Sequence, residues 1–175
     1  MFPCQGKCRR FESDYPLQFN SMQLNHSTLY QTCSAPDFTR SLANLRLAQR
    51  MIQTMIRAGG IGLAANQVGE HIRLFVMYVD GEFFHCFDPS ILDHSESLTT
   101  SAEGCLSFPG ETCQVPRYEN ITVKFANANG HYQQREFTGL AARCFQHELD
   151  HLNGITMHSR INNDKSSLHL GSASL

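Results

Sequence analysis

Apolar residues recur at helical spacing in two stretches of this chain and follow strand-like runs between them. Leu42, Leu45, Ile52, Met55 and Ile56 mark a first helix, opened by Pro36-Asp37 and closed by Gly59-Gly60. A second helix is predicted from Leu140 to Leu152, with a stripe of Leu140, Ala141, Cys144, Phe145, Leu149 and Leu152. Arg73–Val79 reads as a strand, Asp80-Gly81 as a tight hairpin turn and Glu82–Phe87 as the returning strand. Asn120–Ala126 and His131–Phe137 repeat that layout around Asn127–Gly130, and Met22–Leu24 reads as one more short strand. Hairpins with helices set apart from them make an α+β domain with a mostly antiparallel sheet. Residues 1–18 and 159–175 are polar and unpatterned, so they are expected to be a flexible lead-in and a frayed tail around a domain spanning 19–158.

Composition narrows the class only modestly. At 175 residues, 41% apolar and 17% charged, the chain is an ordinary globular domain with room for a real core. A net charge of −2 gives no electrostatic reason to expect nucleic acid or an anionic membrane as partner. No apolar run approaches the ~20 residues of a membrane span. Seven cysteines, without the apolar stretch of a secretory signal, argue for a reducing compartment. A cytoplasmic protein is expected; Lys7, Arg9 and Arg10 keep an organelle address open, against Glu12 and Asp14. Cys4 and Cys8 have no companion pair and read as incidental.

The chemistry gathers on the second helix. His147-Glu148-Leu149-Asp150-His151 is an H-E-x-x-H run. Residues four apart differ by only ~40° around a helix axis, so His147 and His151 point the same way and can hold one divalent metal. Glu148 lies about 100° round, close enough to take a proton from a water activated there. The bland alternative is a surface helix with solvated side chains. The apolar stripe opposes it, because it carries the two histidines and the acid to the margin of a buried face.

A catalytic metal needs a third protein ligand. The metzincin pattern would continue through Gly154 to a histidine at 157, but that position is Met157, with His158 one residue late. The residues after it leave no room for the downstream glutamate helix of thermolysin-like peptidases. Upstream, Glu103-Gly104-Cys105-Leu106-Ser107-Phe108-Pro109-Gly110 places a cysteine on what reads as irregular backbone, where its sulfur can be aimed. A free cysteine is more often a small buried hydrophobe, yet a Cys/His/His set fits this chain best. Gly59 to Gly69 (GGIGLAANQVG) is small and nearly uncharged, suited to line a groove for an extended peptide.

GIGLAANQVG (60–69), EGCLS (103–107) and QHELDHLNG (146–154) together closely resemble, in order and spacing, the three signature motifs of peptide deformylase. The resemblance covers about residues 22 to 158 and implies antiparallel sheets around a central helix carrying H-E-x-x-H. It implies an enzyme that removes the formyl group from the N-terminal formyl-methionine of new polypeptides, releasing formate. By it, Cys105, His147 and His151 are the metal ligands and Glu148 the general base and later proton donor. The Gln67 side chain and the backbone N–H of Leu106 stabilise the oxyanion. Backbone around Ile61, Gly62 and Gly104 pairs with the peptide, Cys144 belongs to the methionine pocket, and Glu103 pairs with Arg117. Arg143 departs from the more usual apolar residue beside Cys144. The family prefers Fe(II), with Ni, Co or Zn able to occupy the site. The long C-terminal helices of some members have no counterpart, so ribosome contact stays open, and a monomer is expected.

Two rival classes remain. A zinc endopeptidase would need a cleft open at both ends. A metal-binding redox module using Cys105 would not need Glu148 or Gln67, and both are present.

Overall fold

The computed structural model describes residues 22–161; the expected lead-in, with Cys4 and Cys8, and residues 162–175 lie outside the described residues. Helix α1 (Ser41–Arg57) leads into strand β1 (Gly62–Ala64), then β2 (Leu74–Val79), β3 (Glu82–His94), β4 (Leu98–Cys105), β5 (Phe108–Tyr118), β6 (Asn120–Ala126) and β7 (Tyr132–Thr138). Helix α2 (Gly139–Leu152) follows, and residues 157–161 are helical again. All the strand pairs are antiparallel, in a five-stranded sheet ordered β1-β2-β3-β6-β7 and a separate β4-β5 hairpin. The α+β expectation holds.

Strand β2 explains why the run around it is apolar throughout. Phe75, Met77 and Val79 pack on the face that α2 covers, while Leu74 and Val76 pack with Met51 and Met55 of α1 on the other face. A strand covered on both faces has no polar alternation to show. The turn after it is as expected: Asp80 and Gly81 both have positive φ, 52° and 81°, the conformation of a two-residue hairpin turn whose twist suits the strands.

Helix α1 ends as predicted, while Asp37 caps the 3₁₀ turn Phe38–Arg40 that leads into it and the helix itself has no side-chain cap at its N-terminus. The Asp37 side chain accepts from Thr39 N at 3.0 Å in a short 3₁₀ turn, and Gly59, at φ 72°, closes the C-terminus. Gly59 N donates to Ile56 O and Gly60 N to Met55 O, the paired bonds of a Schellman motif. Its buried face is rotated from the expected stripe. Leu42 and Ile56 are 59% and 51% exposed, while Asn44, Ala48, Met51, Thr54 and Met55 are buried. Asn44 and Thr54 tolerate burial because their side chains donate to Asp37 O and Arg50 O.

Three other expectations change. Residues 22–24 form no strand; Met22 N instead donates to Thr54 Oγ1 at 2.8 Å. Strand β3 runs seven residues past Phe87, through register shifts after Phe87 and Ile91 that leave Asp88 at φ 45°. The stretch from Glu103 to Gly110 is not irregular: it is the end of β4, a two-residue turn at Leu106-Ser107 and the start of β5, with Cys105 opposite Phe108. Strand β4 is mostly exposed and Ser/Thr-rich, so no apolar alternation announced it. At the C-terminal end, residues 159–161 of the anticipated tail are helical.

Helix α2 is docked by an aromatic cluster. Phe145 is fully buried, edge-on to Phe75 at 5.0 Å and tilted against Phe125 and Phe137. Gly154, at φ 72°, ends the helix; a Cβ there would meet Tyr30 O at 2.6 Å. Phe145→Ala should lower unfolding free energy by about 3–5 kcal/mol, because the cluster cannot close over a ring-sized void. Urea denaturation followed by circular dichroism measures this; a loss under ~1 kcal/mol would mean that the ring does not anchor α2.

Candidate active site

Cys105, His147 and His151 converge. Cys105 ends β4, the two histidines lie one turn apart on α2, and their ligating atoms all fall within 4.8 Å of one another. His147 Nε2 stands 3.2 Å from His151 Nε2, which stands 3.3 Å from Cys105 Sγ. Two nitrogens bound tetrahedrally at ~2.1 Å to one ion stand about 3.4 Å apart, so the spacing fits a shared cation.

The two histidines sit in opposed electrostatic surroundings. Burial opposes protonation of His147, but hydrogen bonds with Cys105 and Glu103 outweigh it and hold the ring at about 10. Burial, aided by repulsion from His147, pushes His151 well below its ordinary value, so that ring stays neutral. Glu103 Oε2 accepts a hydrogen bond from His147 Nδ1 at 2.9 Å, which leaves Nε2 as the ring nitrogen facing the centre. One sulfur and two imidazoles are a donor set that suits a divalent metal.

Glu103 is itself fixed from behind. Arg117 grips it with two parallel bonds, Nε to Oε1 and Nη2 to Oε2, both 2.9 Å, and Arg143 Nη1 adds a third at 2.7 Å. Burial opposes its ionisation, but the bonds from Arg117 and His147 prevail and hold the carboxyl down at about 2. Arg143 also donates to Val115 O and Thr99 O, so it clamps the β4-β5 hairpin onto α2. The pairing of Glu103 with Arg117 was expected; the clamp by Arg143 was not.

Glu148 sits one residue beyond His147 and is 4% exposed. Its Oε2 has no hydrogen-bond partner in the fold, and burial raises its pKa to about 7, with His147 pulling the other way. A buried carboxyl poised near neutrality is suited to accept and return a proton. Gly62 makes room for it: a Cβ at that position would stand 2.2 Å from Glu148 Oε1 and 2.9 Å from Cys144 Sγ.

Gln67 belongs to a 3₁₀ turn (Ala65–Val68) behind β1. Its Oε1 accepts from Ala64 N at 2.8 Å, which orients Nε2 toward Cys105 Sγ at 3.5 Å and Ser107 Oγ at 3.0 Å. Leu106 follows Cys105 at the hairpin turn. A groove of about 760 Å³ opens over these groups, walled by Gly59–Gly62 on one side and Gly104–Thr112 on the other, with Cys144 in its lining. Strand β1 is the edge of its sheet, so a strand-like ligand can lie beside it. The Ile61 carbonyl, however, already accepts from Tyr78 N at 2.8 Å.

Among the described residues, the structure brings the candidate site residues of the sequence together around one groove. It adds Asp150, Arg143, Arg160 and Ser107. Of these Asp150 and Ser107 lie inside the quoted motifs and Arg143 stands out beside Cys144, while Arg160 carried no signal.

Comparison with known proteins agrees with this geometry. The family model described as polypeptide deformylase matches residues 20–167. A peptide deformylase of Thermotoga maritima is 44% identical over 120 residues, 69% of this chain and 73% of that one. The crystal structure of peptide deformylase from Thermotoga maritima superposes with a TM-score of 0.75 at 36% identity, covering 81% of this chain and 98% of that one. The Met-Ala-Ser-bound class I type b peptide deformylase from Acinetobacter baumannii superposes at 0.77 with 29% identity, covering 81% and 98%. The chain belongs to the polypeptide deformylase family.

Proposed function

We propose that Cys105, His147 and His151 hold the divalent metal of this deformylase, and that Glu148 moves the protons as the N-formyl group leaves formyl-methionyl peptides. The observation that carries the assignment is the convergence of one thiol and two Nε2 atoms beside a buried, unpartnered carboxylate oxygen. The metal, when bound, supplies Lewis acidity, lowering the pKa of water and polarising the formyl oxygen. Iron(II) is the proposed native ion, with nickel, cobalt or zinc as substitutes.

Glu148 takes a proton from the attacking water and returns it to the departing amine nitrogen, so formate and a free methionyl amine result. As the formyl carbon becomes tetrahedral, its oxygen gains charge that Gln67 Nε2 and the Leu106 N–H stabilise; one such donor is typically worth ~3 kcal/mol of barrier. Ala64 N holds the Gln67 Oε1 and so fixes the amide, and Nε2 exchanges its bond to Ser107 Oγ or Cys105 Sγ for one to the substrate oxygen. The peptide lies along β1 and Gly104, and methionine enters beside Cys144. Because the Ile61 carbonyl is engaged by Tyr78, we assign the pairing there to the remaining backbone groups of Ile61 and Gly62. Cytoplasmic action as a monomer on nascent chains accompanies this reading. Among the described residues no helix is long and apolar enough to cross a membrane.

Glu148→Ala should retain stoichiometric metal yet lose turnover by several orders of magnitude, as metal analysis beside a formate assay would show. Near wild-type rates would remove it as the proton carrier. Cys105→Ser should release metal readily to a chelator, and unchanged metal retention would take Cys105 out of the ligand set. Gly62→Ala should leave metal content intact but cut kcat at least tenfold, because its methyl overlaps Glu148 Oε1; wild-type kcat would show that the carboxylate has slack.

A further inference from the structure

Asp150 lies on α2 between the two histidines, but its carboxylate is engaged by two arginines. Arg160, in the helical residues 157–161, grips it with a fork: Nε to Oδ2 at 2.6 Å and Nη2 to Oδ1 at 2.5 Å. Asp150 Oδ2 also accepts from Arg117 Nη1. Arg117 turns its two remaining nitrogens onto Glu103, and Glu103 Oε2 accepts from His147 Nδ1. Charge-assisted bonds therefore run in series from Arg160 through Asp150, Arg117 and Glu103 to a metal-site histidine. The three inner members are 6%, 2% and 6% exposed, so water has little access to replace a lost partner, while the Arg160 side chain is 39% exposed.

We propose that Arg160 is a positioning residue for the metal site, acting through Asp150, Arg117 and Glu103 on His147; this rests on the ligand assignment above. Bonds to both carboxylate oxygens hold Asp150 in one rotamer. Without them the carboxylate can rotate about a soft torsion, and the far end of Arg117 is no longer fixed. The Glu103 carboxylate that orients His147 then loses its rigid backing. In a low-dielectric chain each bond strengthens its neighbour, so loosening the outermost is felt inward. The same helical residues offer an internal control. His158 Nε2 bonds Glu111 Oε2 at 2.9 Å and its ring meets Phe108 edge-on at 4.7 Å, contacts that dock the turn without touching Asp150.

The test uses full-length protein loaded with cobalt(II), with affinity measured by chelator competition and the ligand field by visible absorption. Arg160→Ala should bind cobalt about tenfold more weakly, as loss of outer-shell support commonly does, with a shifted ligand-field band. Arg160→Lys should fall between, since an ammonium keeps the charge but lacks the fork. His158→Ala should match wild type. Wild-type affinity and spectrum in Arg160→Ala would overturn the proposal, as would an equal loss in His158→Ala, which would make docking of the turn the cause. Should Arg160→Ala fail to fold, Arg160→Lys decides: a several-fold loss supports the proposal and wild-type behaviour overturns it. Absence of a thiolate-to-cobalt band in wild type would overturn the ligand assignment and this inference together. A normal wild-type band with an unaffected Arg160→Ala would remove this inference alone.

Discussion

The bond from His147 Nδ1 to Glu103 Oε2 is the contact on which the site's geometry depends. Helix α2 must pass through the interior to be held by Phe145 and its aromatic neighbours, and that path buries two imidazoles and a carboxyl. Buried polar groups are tolerable only when partnered. Glu103 partners His147, Arg117 and Arg143 partner Glu103, and Arg117 reaches on to Asp150. The same bonds that make the burial tolerable engage Nδ1 of His147, and so leave Nε2 to face the proposed metal site. Stability and chemistry rest on one set of contacts.

The β4-β5 hairpin serves both ends of this arrangement. Its two-residue turn carries Leu106 and Ser107 directly after Cys105, so the proposed ligand and the proposed oxyanion donor share a single bend of the chain. Its walls face β1 across the groove, and Arg143 fastens it to α2 through two carbonyls. Glycines at 60 and 62 let β1 approach closely: a Cβ at Gly60 would meet the Leu106 side chain at 2.7 Å. Small residues there are a requirement of contact with Leu106 and Glu148.

Much of this was legible in the sequence, and where it was not the reason is physical. The H-E-x-x-H run, the thiol of Cys105 and the amide of Gln67 announce themselves by residue type, and the hairpin turn at Asp80-Gly81 by its need for positive φ. The stripe on α1 was misplaced because two polar residues, Asn44 and Thr54, are buried there with backbone partners, and hydrophobic periodicity cannot anticipate such partners. Strand β4 was invisible because it faces solvent along most of its length and, among the described residues, pairs only with β5. Arg143, Arg117 and Arg160 reach their partners from elements distant in sequence, so no local pattern points to the network they form. Asp150 stood inside the motif, but its role depends on Arg160, in a stretch whose composition reads as tail.

Formate release from formyl-Met-Ala-Ser by protein purified anaerobically and reloaded with Fe(II) or Ni(II) tests the central claim most directly. The account predicts rapid release that vanishes when acetyl replaces formyl. Stoichiometric metal with no formate released would contradict it, and would leave a metal-binding fold in which the site has lost its reaction.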